Sequence, residues 1–349
     1  MKRKVLTIFL FLSLFLKSFS QNNWEKLSEE LIAPDPPFKQ CHASTIVQVS
    51  STKILAAWFG GSHEGAKDVD IWLSELSNNK WSCPKVIASG VINDTVRYPT
   101  WNPVLFKSKD GMLFLFYKIG PSPRQWCGMQ ITSTDNGNNW SKPERLPEGI
   151  LGPIKNKPIQ LNDGTIISGS STETNTRWSV HMERSADNGK TWTRIPVDVN
   201  SEFEVIQPSI LHHANGQLQI LCRSKQGAVV QSWSGDNGKT WSRLSKTNLI
   251  NPNSGIDAIT LKDGQQLIVY NPDLPGKEWQ NGRAKLNVAI SADGITWKDI
   301  IALENGTKEE FSYPAVIQTA EGNVHITYTF DRKNIKHVVL KQSNTKSKN

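Results

Sequence analysis

The sequence predicts an all-β fold, a six-bladed β-propeller, from two repeats that are out of phase with each other and from its composition. One repeat is a turn motif of the form Ser-x-Asp-x-Gly-x-x-Trp, and the other is a pair of apolar strands joined by a turn that usually ends in Gly. The chain contains 24 Gly, 18 Pro and 13 Trp in 349 residues. Helical periodicity is absent beyond the N-terminus, and repeats spaced by about 50 residues are typical of propellers.

The turn motif occurs three times in full and twice in altered form. The full copies are Ser133–Trp140, Ser185–Trp192 and Ser234–Trp241. Ser291–Trp297 is one residue short, and Ser74–Trp81 keeps only the two ends. Asp and Gly favour tight turns, and Trp gives a hairpin a large apolar anchor. We therefore expect the motifs at outer hairpin turns, remote from the propeller axis.

The paired apolar strands account for the number of blades. The six copies are His42–Gly60, Asn102–Lys118, Lys157–Ser171, Gln207–Arg223, Asp257–Asn271 and Tyr313–Thr329. Six strand pairs and up to five turn motifs make six four-stranded units. In this arrangement the first strand of each pair is the inner strand, and its start faces the central channel.

The N-terminus has the pattern of a secretory leader. A basic start, an apolar stretch at Val5–Leu16 and a cleavage site before Gln21 predict a signal peptide over residues 1–20. The propeller then occupies 21–341, and a frayed tail follows at 342–349. The apolar stretch is too short to span a membrane, and no Cys follows the cleavage site to carry a lipid anchor. We expect a secreted or periplasmic protein.

Charge and cysteine spacing exclude several partners. Lys2, Arg3, Lys4 and Lys17 lie in the leader, so cleavage lowers the formal net charge from +8 to +4. This charge is too weak and too scattered to predict nucleic-acid binding. The four cysteines have no metal-site spacing, and we expect no metal and no cofactor. We expect a monomer with no membrane anchor.

The starts of the inner strands bring polar and charged residues to one mouth of the channel. They are His42, Trp101, Asn102, Lys155, Asn156, Lys157, Gln207, Asp257 and Tyr313, and Arg223 and Arg283 join them from nearby strand ends. Because polar groups in a narrow channel are costly unless they are paired or serve a ligand, this ring predicts a site for an anionic sugar.

Four of the candidate residues have side chains suited to catalysis. His42 can act as acid or base, and Tyr313 as nucleophile or general acid. Glu64 and Asp68 lie in the loop after the second strand of the first pair, and either can donate a proton. The other residues of the ring, together with Arg223 and Arg283, are expected to bind the substrate.

These repeats and strand pairs resemble those of the sialidase (neuraminidase) superfamily, in the branch that carries Asp-box repeats. The resemblance covers nearly all of the predicted mature chain. It implies a site at the propeller axis, with three arginines on a substrate carboxylate, a Tyr nucleophile paired with a Glu, and an Asp acid/base. It also implies that Tyr313 is the nucleophile, and that Arg223 and Arg283 are two of the three arginines that bind the carboxylate.

The sequence departs from that pattern at two positions. Gln207 stands where the superfamily has the Glu that serves the Tyr, and His42 stands where it has the first arginine. Gln cannot take a proton from a phenol. Glu204 precedes Gln207 by three residues, and strand alternation points it away from the face of Gln207. The loop that carries the acid in the superfamily offers His63, Glu64, Asp68 and Asp70 here.

Three functions are consistent with these residues. The first is an exo-acting glycoside hydrolase that removes a terminal acidic sugar or a sugar next to one. The second is a polysaccharide lyase in which cations neutralise a uronate carboxylate and His42 or Tyr313 abstracts the adjacent proton. The third is a glycan-binding propeller without catalysis.

Overall fold

The computed structural model describes residues 24–278 and 280–343. These residues form 25 strands in six antiparallel sheets, which are the six predicted blades. The predicted leader, residues 1–20, lies outside the described residues, as do residues 344–349 of the predicted tail. Within the described ranges, no helix is long and apolar enough to cross a membrane.

The strands follow the chain from blade to blade. The first is β1 (Trp24–Leu31). Blade 1 contains β2 (Gln40–Ser50), β3 (Lys53–Gly61), β4 (Asp70–Ser77) and β5 (Lys80–Trp81), and β6 (Lys85–Ala88) also pairs with β4. Blade 2 contains β7 (Thr100–Lys107), β8 (Leu113–Ile119), β9 (Cys127–Ser133) and β10 (Glu144–Arg145). Blade 3 contains β11 (Ile159–Gln160), β12 (Ile166–Glu173), β13 (Trp178–Ser185) and β14 (Thr193–Pro196).

The second half of the chain repeats this order. Blade 4 contains β15 (Val205–His212), β16 (Leu218–Ser224), β17 (Ala228–Ser234) and β18 (Ser245–Ile250). Blade 5 contains β19 (Asp257–Thr260), β20 (Gln266–Tyr270), β21 (Lys285–Ser291) and β22 (Lys298–Asn305). Blade 6 contains β23 (Phe311–Gln318), β24 (Val324–Phe330) and β25 (Asn334–Gln342), and β1 completes it.

Blade 6 joins the two ends of the described chain. β1 pairs antiparallel with β25, from Trp24 opposite Gln342 to Leu31 opposite Lys336. This closure ties the start of the propeller to its end, so the ring has no open edge between blades 6 and 1. No sequence repeat predicted β1, because the segment carries neither a turn motif nor the Gly turn of the strand pairs.

The turn motifs lie between the third and fourth strands of their blades, as predicted. In the first full copy, Ser133 Oγ donates to Asp135 Oδ1 over 2.8 Å and accepts from the Gly137 backbone N–H over 2.9 Å. The indole N–H of Trp140 donates to the Gly137 carbonyl over 3.1 Å. Gly137 has φ of 83°, a conformation that Gly adopts without steric cost. The motif is a closed network of local hydrogen bonds that holds the outer hairpin.

The inner strands begin with an unusual backbone conformation. Five of the six carry a left-handed residue close to their start, at Ala43, Asn102, Lys155, Gln207 and Tyr313, with φ between 40° and 70°. In β2, β7, β15 and β23 the strand register shifts at this point. A non-Gly residue with positive φ is uncommon and concentrates at functional sites. The shift changes the direction in which the side chains at the mouth of the channel point.

Candidate active site

Tyr313 and two arginines form the centre of the channel mouth. Arg223, near the end of β16, donates from Nη1 to the Tyr313 hydroxyl oxygen over 2.5 Å. The guanidinium carbons of Arg223 and Arg283 lie 5.6 Å and 5.9 Å from the centre of the Tyr313 ring. Both arginines are buried, whereas Tyr313 is half-buried. The structure therefore brings together the three residues that the resemblance placed in one site.

Arg332 is a third guanidinium at this site, and neither sequence repeat predicted it. It lies in the turn between β24 and β25, and its Nη2 is 3.5 Å from Nε2 of His42. Its Nη1 donates to Glu64 over 2.5 Å, and its Nε donates to Glu310 over 2.7 Å. Burial lowers the pKa of Arg332, but Glu64 and Glu310 outweigh it and raise the pKa overall. The guanidinium thus stays charged beside the position where the superfamily has its first arginine.

Glu310, also missed, connects two of the arginines. Its carboxylate accepts from Arg283 over 3.0 Å and from Arg332 over 2.7 Å. Ser312 Oγ donates to it over 2.7 Å. Burial raises the pKa of Glu310, but Arg332 and Arg283 outweigh it and lower the pKa overall. Glu310 precedes the strand pair that contains Tyr313, and Arg332 follows that pair, so neither fell within the repeat that identified the other residues.

His42 lies against Tyr313 and is neutral near neutral pH. Its ring centre is 4.1 Å from that of Tyr313, and its Nδ1 is 2.9 Å from Thr329 Oγ1. Burial, followed by the positive charge of Arg332, lowers the pKa of His42 well below its ordinary range. A guanidinium can only donate, so Nε2 of His42 is the acceptor and the ring proton sits on Nδ1. His42 is therefore a neutral base at this site.

The two proposed proton donors from the first blade are engaged differently. Glu64 pairs with Arg332, at the edge of the site. Asp68 lies in an exposed part of the loop and accepts from the backbone N–H and Oγ of Ser62, over 3.0 Å and 2.8 Å. Burial raises the pKa of Asp68, but the bonds from Ser62 outweigh it and lower the pKa overall. The structure brings Glu64 into the arginine cluster, whereas the bonds from Ser62 hold Asp68 within its own loop.

The predicted residues of the third and fifth blades tie the inner strands together. Lys155 Nζ donates to the carbonyls of Ile256, over 2.7 Å, and of Pro314. Burial lowers the pKa of Lys155 to about 7. Asn156 Nδ2 donates to the Gln207 carbonyl over 2.8 Å.

Asp257 makes the most extensive of these ties. It accepts from Lys157 Nζ over 2.7 Å, from Ser209 Oγ over 3.1 Å and from the Val316 backbone N–H over 2.8 Å. These donors belong to the third, fourth and sixth blades. Lys155, Asn156, Lys157 and Asp257 thus have structural bonds within the channel, and their predicted contact with substrate stays a prediction.

Two further predicted residues of the ring are largely buried. Trp101 donates from its indole N–H to the Gly120 carbonyl over 2.8 Å, and its ring packs edge-on against Phe59 and Trp126. Asn102 follows it with φ of 40°. Trp101 and Asn102 are 7% exposed each, so only a small part of either side chain can reach a ligand.

Gln207 occupies the predicted position beside Arg223. Its Oε1 lies 3.4 Å from Nη1 of Arg223, the same nitrogen that bonds the Tyr313 hydroxyl. Glu204 bonds Lys225 Nζ over 2.7 Å and accepts from the Trp178 backbone N–H over 3.3 Å. An amide near the arginine can orient it but cannot accept the phenol proton.

The site contains three guanidiniums and one phenol. Two guanidiniums lie against the Tyr313 ring, and a third lies beside His42. Planar guanidiniums recognise carboxylates through paired hydrogen bonds. Donors beside the Tyr313 oxygen also stabilise negative charge that develops there during a reaction. Among the described residues, no group of three or more His, Cys, Asp or Glu is arranged to hold a metal ion.

A model of the BNR repeat-like domain family matches residues 52–326. The chain belongs to this family. Its fold is that of the sialidase propellers, and solved structures of several sialidases superimpose on it. No curated protein matches the sequence.

Three solved structures illustrate the likeness of this BNR repeat-like protein. A Dyadobacter fermentans protein of unknown function has a TM-score of 0.75 and 17% identity, over 92% of this chain and 99% of its own. The Hadza microbial sialidase Hz136 has a TM-score of 0.71 and 17% identity, over 86% and 66%. Trypanosoma rangeli sialidase in complex with sialic acid has a TM-score of 0.65 and 16% identity, over 92% and 59%. At these identities the likeness establishes the fold.

Proposed function

We propose that this protein is an exo-acting glycoside hydrolase for a terminal acidic sugar, or for a sugar next to one, in a complex glycan. The observation that carries the proposal is the placement of Arg223 and Arg283 against Tyr313. Arg332 adds a third guanidinium beside His42, which packs on the Tyr313 ring. The arginines would bind the sugar carboxylate, and the phenol oxygen would attack the anomeric carbon. The sialidases with the same fold support this reaction class.

A panel of acidic oligosaccharides tests this function by the mass of the products. Hydrolysis adds one water to the products, so we expect a free acidic monosaccharide and a shortened glycan whose combined mass exceeds the substrate by one water. Tyr313→Phe should abolish this turnover, because it removes the attacking oxygen. If the wild-type protein releases no such product from any acidic glycan, the proposal is wrong.

A lyase reaction is the second candidate, and the neutral His42 favours it. A neutral imidazole next to Tyr313 is suited to abstract a proton from a carbon beside a carboxylate that the arginines neutralise. Lysis leaves a double bond that absorbs in the ultraviolet and adds no water. The same panel therefore separates the two reactions, and binding of an acidic glycan without either product would indicate a non-catalytic propeller.

We also propose that the protein is secreted or periplasmic, on the basis of the leader pattern over residues 1–20. N-terminal sequencing of the protein purified from its native cells tests this proposal. A mature chain that begins at Gln21 is expected, and an intact Met1 would contradict it.

A further inference from the structure

Glu173 lies at the end of β12, on the side of blade 3 that faces blade 4. Side chains alternate along a strand, so Gly169, Ser171 and Glu173 share one face. A Cβ at Gly169 would touch Pro208, and Ser171 Oγ accepts from the Gln207 backbone N–H over 3.4 Å. Glu173 is the next residue on this face. It therefore lies above Gln207, at the mouth of the channel.

The residue opposite Glu173 confirms this placement. Trp178 pairs with Glu173 across β12 and β13, so the two side chains lie on the same face of the sheet. The Arg223 guanidinium carbon is 5.5 Å from the centre of a Trp178 ring. The same Arg223 bonds the Tyr313 hydroxyl and is the first of the charges that act on Glu173, so Glu173 and Tyr313 both lie near one guanidinium.

Glu173 differs from the other carboxylates around the site because no described residue donates a hydrogen bond to it. Glu64, Asp68 and Glu310 all accept such bonds. Glu173 is half-buried, and burial raises the pKa of its carboxyl, although Arg223, Arg124 and Lys225 act to lower it. A carboxylate with free lone pairs in a cationic site is available to accept a proton.

We propose that Glu173 is the base for Tyr313 and takes over the role that Gln207 cannot fill. This inference rests on the proposed hydrolase function. As the Tyr313 oxygen bonds to the anomeric carbon, Glu173 accepts the phenol proton, directly or through one water. The bond to the leaving oxygen breaks, and that oxygen keeps the electron pair and takes a proton from water. A second water then cleaves the tyrosyl–sugar bond and gives its proton to the hydroxide that the first water left, and Glu173 returns the proton to the phenolate.

The test removes the carboxylate at position 173 and then introduces one at position 207. Glu173→Gln should lower kcat by about 100-fold or more with little change in KM, because the phenol loses its base. Adding Gln207→Glu to that variant should recover at least about tenfold, because it places a carboxylate beside the Arg223 nitrogen that bonds Tyr313. Glu148→Gln makes the same change at an exposed site and should have no effect.

Two readouts separate a base from a structural residue. The loss of kcat in Glu173→Gln should be equal for substrates with good and with poor leaving groups. The acid limb of the pH–kcat profile, present in the wild type, should be absent from this variant. A variant as active as Glu148→Gln would overturn the inference. A loss confined to poor leaving groups would also overturn it, because it would make Glu173 a leaving-group acid, and so would a double variant that recovers nothing.

A titration tests the inference separately from turnover. The carboxyl carbon of Glu173, followed by NMR, should titrate above the ordinary glutamate range in the wild-type protein, and Tyr313→Phe should shift that titration. If the wild type cleaves no glycan, the proposed function fails while this titration still decides whether Glu173 and Tyr313 are coupled. A Glu173 titration that Tyr313→Phe leaves unchanged would overturn the inference even in an active enzyme.

Discussion

At the scale of single residues, the third arginine of the site comes from a different part of the chain than the resemblance implies. His42 stands where the resemblance expects an arginine, and the guanidinium of Arg332 reaches the same place from the turn after β24. Glu310 orients both Arg283 and Arg332. A buried guanidinium held by a carboxylate keeps its geometry, so these bonds pre-organise the site for an anion.

Replacing Arg332 tests its part in binding. Arg332→Ala should weaken the binding of an acidic ligand by about 2 kcal/mol or more, because a largely desolvated charge–charge contact is lost. Lys333→Ala is the matched control, because it removes an exposed positive charge one residue away. Isothermal titration calorimetry with an acidic monosaccharide measures the affinity of each variant. Equal affinities of the two variants would mean that Arg332 only supports the local structure.

His42 should make the stability of the protein depend on pH. Its pKa is lower in the folded protein than in the unfolded chain, so the unfolded chain binds the proton more readily. The free energy of unfolding should therefore fall as the pH drops through about 6.5, and His42→Gln should show a smaller fall. Urea unfolding at pH 7.5 and pH 5 measures this, with exposed His212→Gln as the control. Equal pH dependence in all three proteins would contradict it.

At the scale of the element, the turn motif stabilises each outer hairpin without entering the site. The short copy keeps the same network, because Ser291 Oγ accepts from the Gly294 N–H over 2.8 Å and donates to Asp293 over 2.9 Å. Hydrogen bonds to the motif aspartates lower the pKa of Asp187 and Asp236 to about 2. The motif therefore specifies the fold, whereas residues at the starts of the inner strands line the candidate site.

Removing one motif hydroxyl should cost stability and not activity. Ser234→Ala leaves the Gly238 backbone N–H without its acceptor, and we expect a loss of about 1–3 kcal/mol in the free energy of unfolding. The value of kcat/KM should stay unchanged at a temperature where both proteins are folded. Ser51→Ala makes the same change at an exposed turn and should be neutral. A selective loss of kcat/KM in Ser234→Ala would show that the motif influences the site.

At the scale of the whole molecule, the propeller is held at its rim and at its axis. The pairing of β1 with β25 closes the rim. Asp257 and Lys155 connect inner strands of different blades along the channel. Because each blade otherwise packs only on its neighbours, these ties add contacts between blades that are not adjacent.

Asp257→Asn should test the axial tie. The change leaves Lys157 without its carboxylate in a mostly buried position, and we expect a loss of about 3 kcal/mol in the free energy of unfolding. Urea denaturation measures the loss, and Asp94→Asn, at an exposed loop position, is the control. If Asp257→Asn is as stable as this control, the inner strands are held by packing alone.

The repeats in the sequence determined the fold, because they depend on local chemistry. Turn motifs and Gly turns recur wherever a hairpin recurs, so their number predicted six blades and their phase placed Tyr313, Arg223 and His42 at the channel mouth. The tertiary structure alone decided what lies outside the repeats. β1, Arg332 and Glu173 reach their places through pairings and contacts between residues far apart in sequence, and no local pattern encodes such contacts.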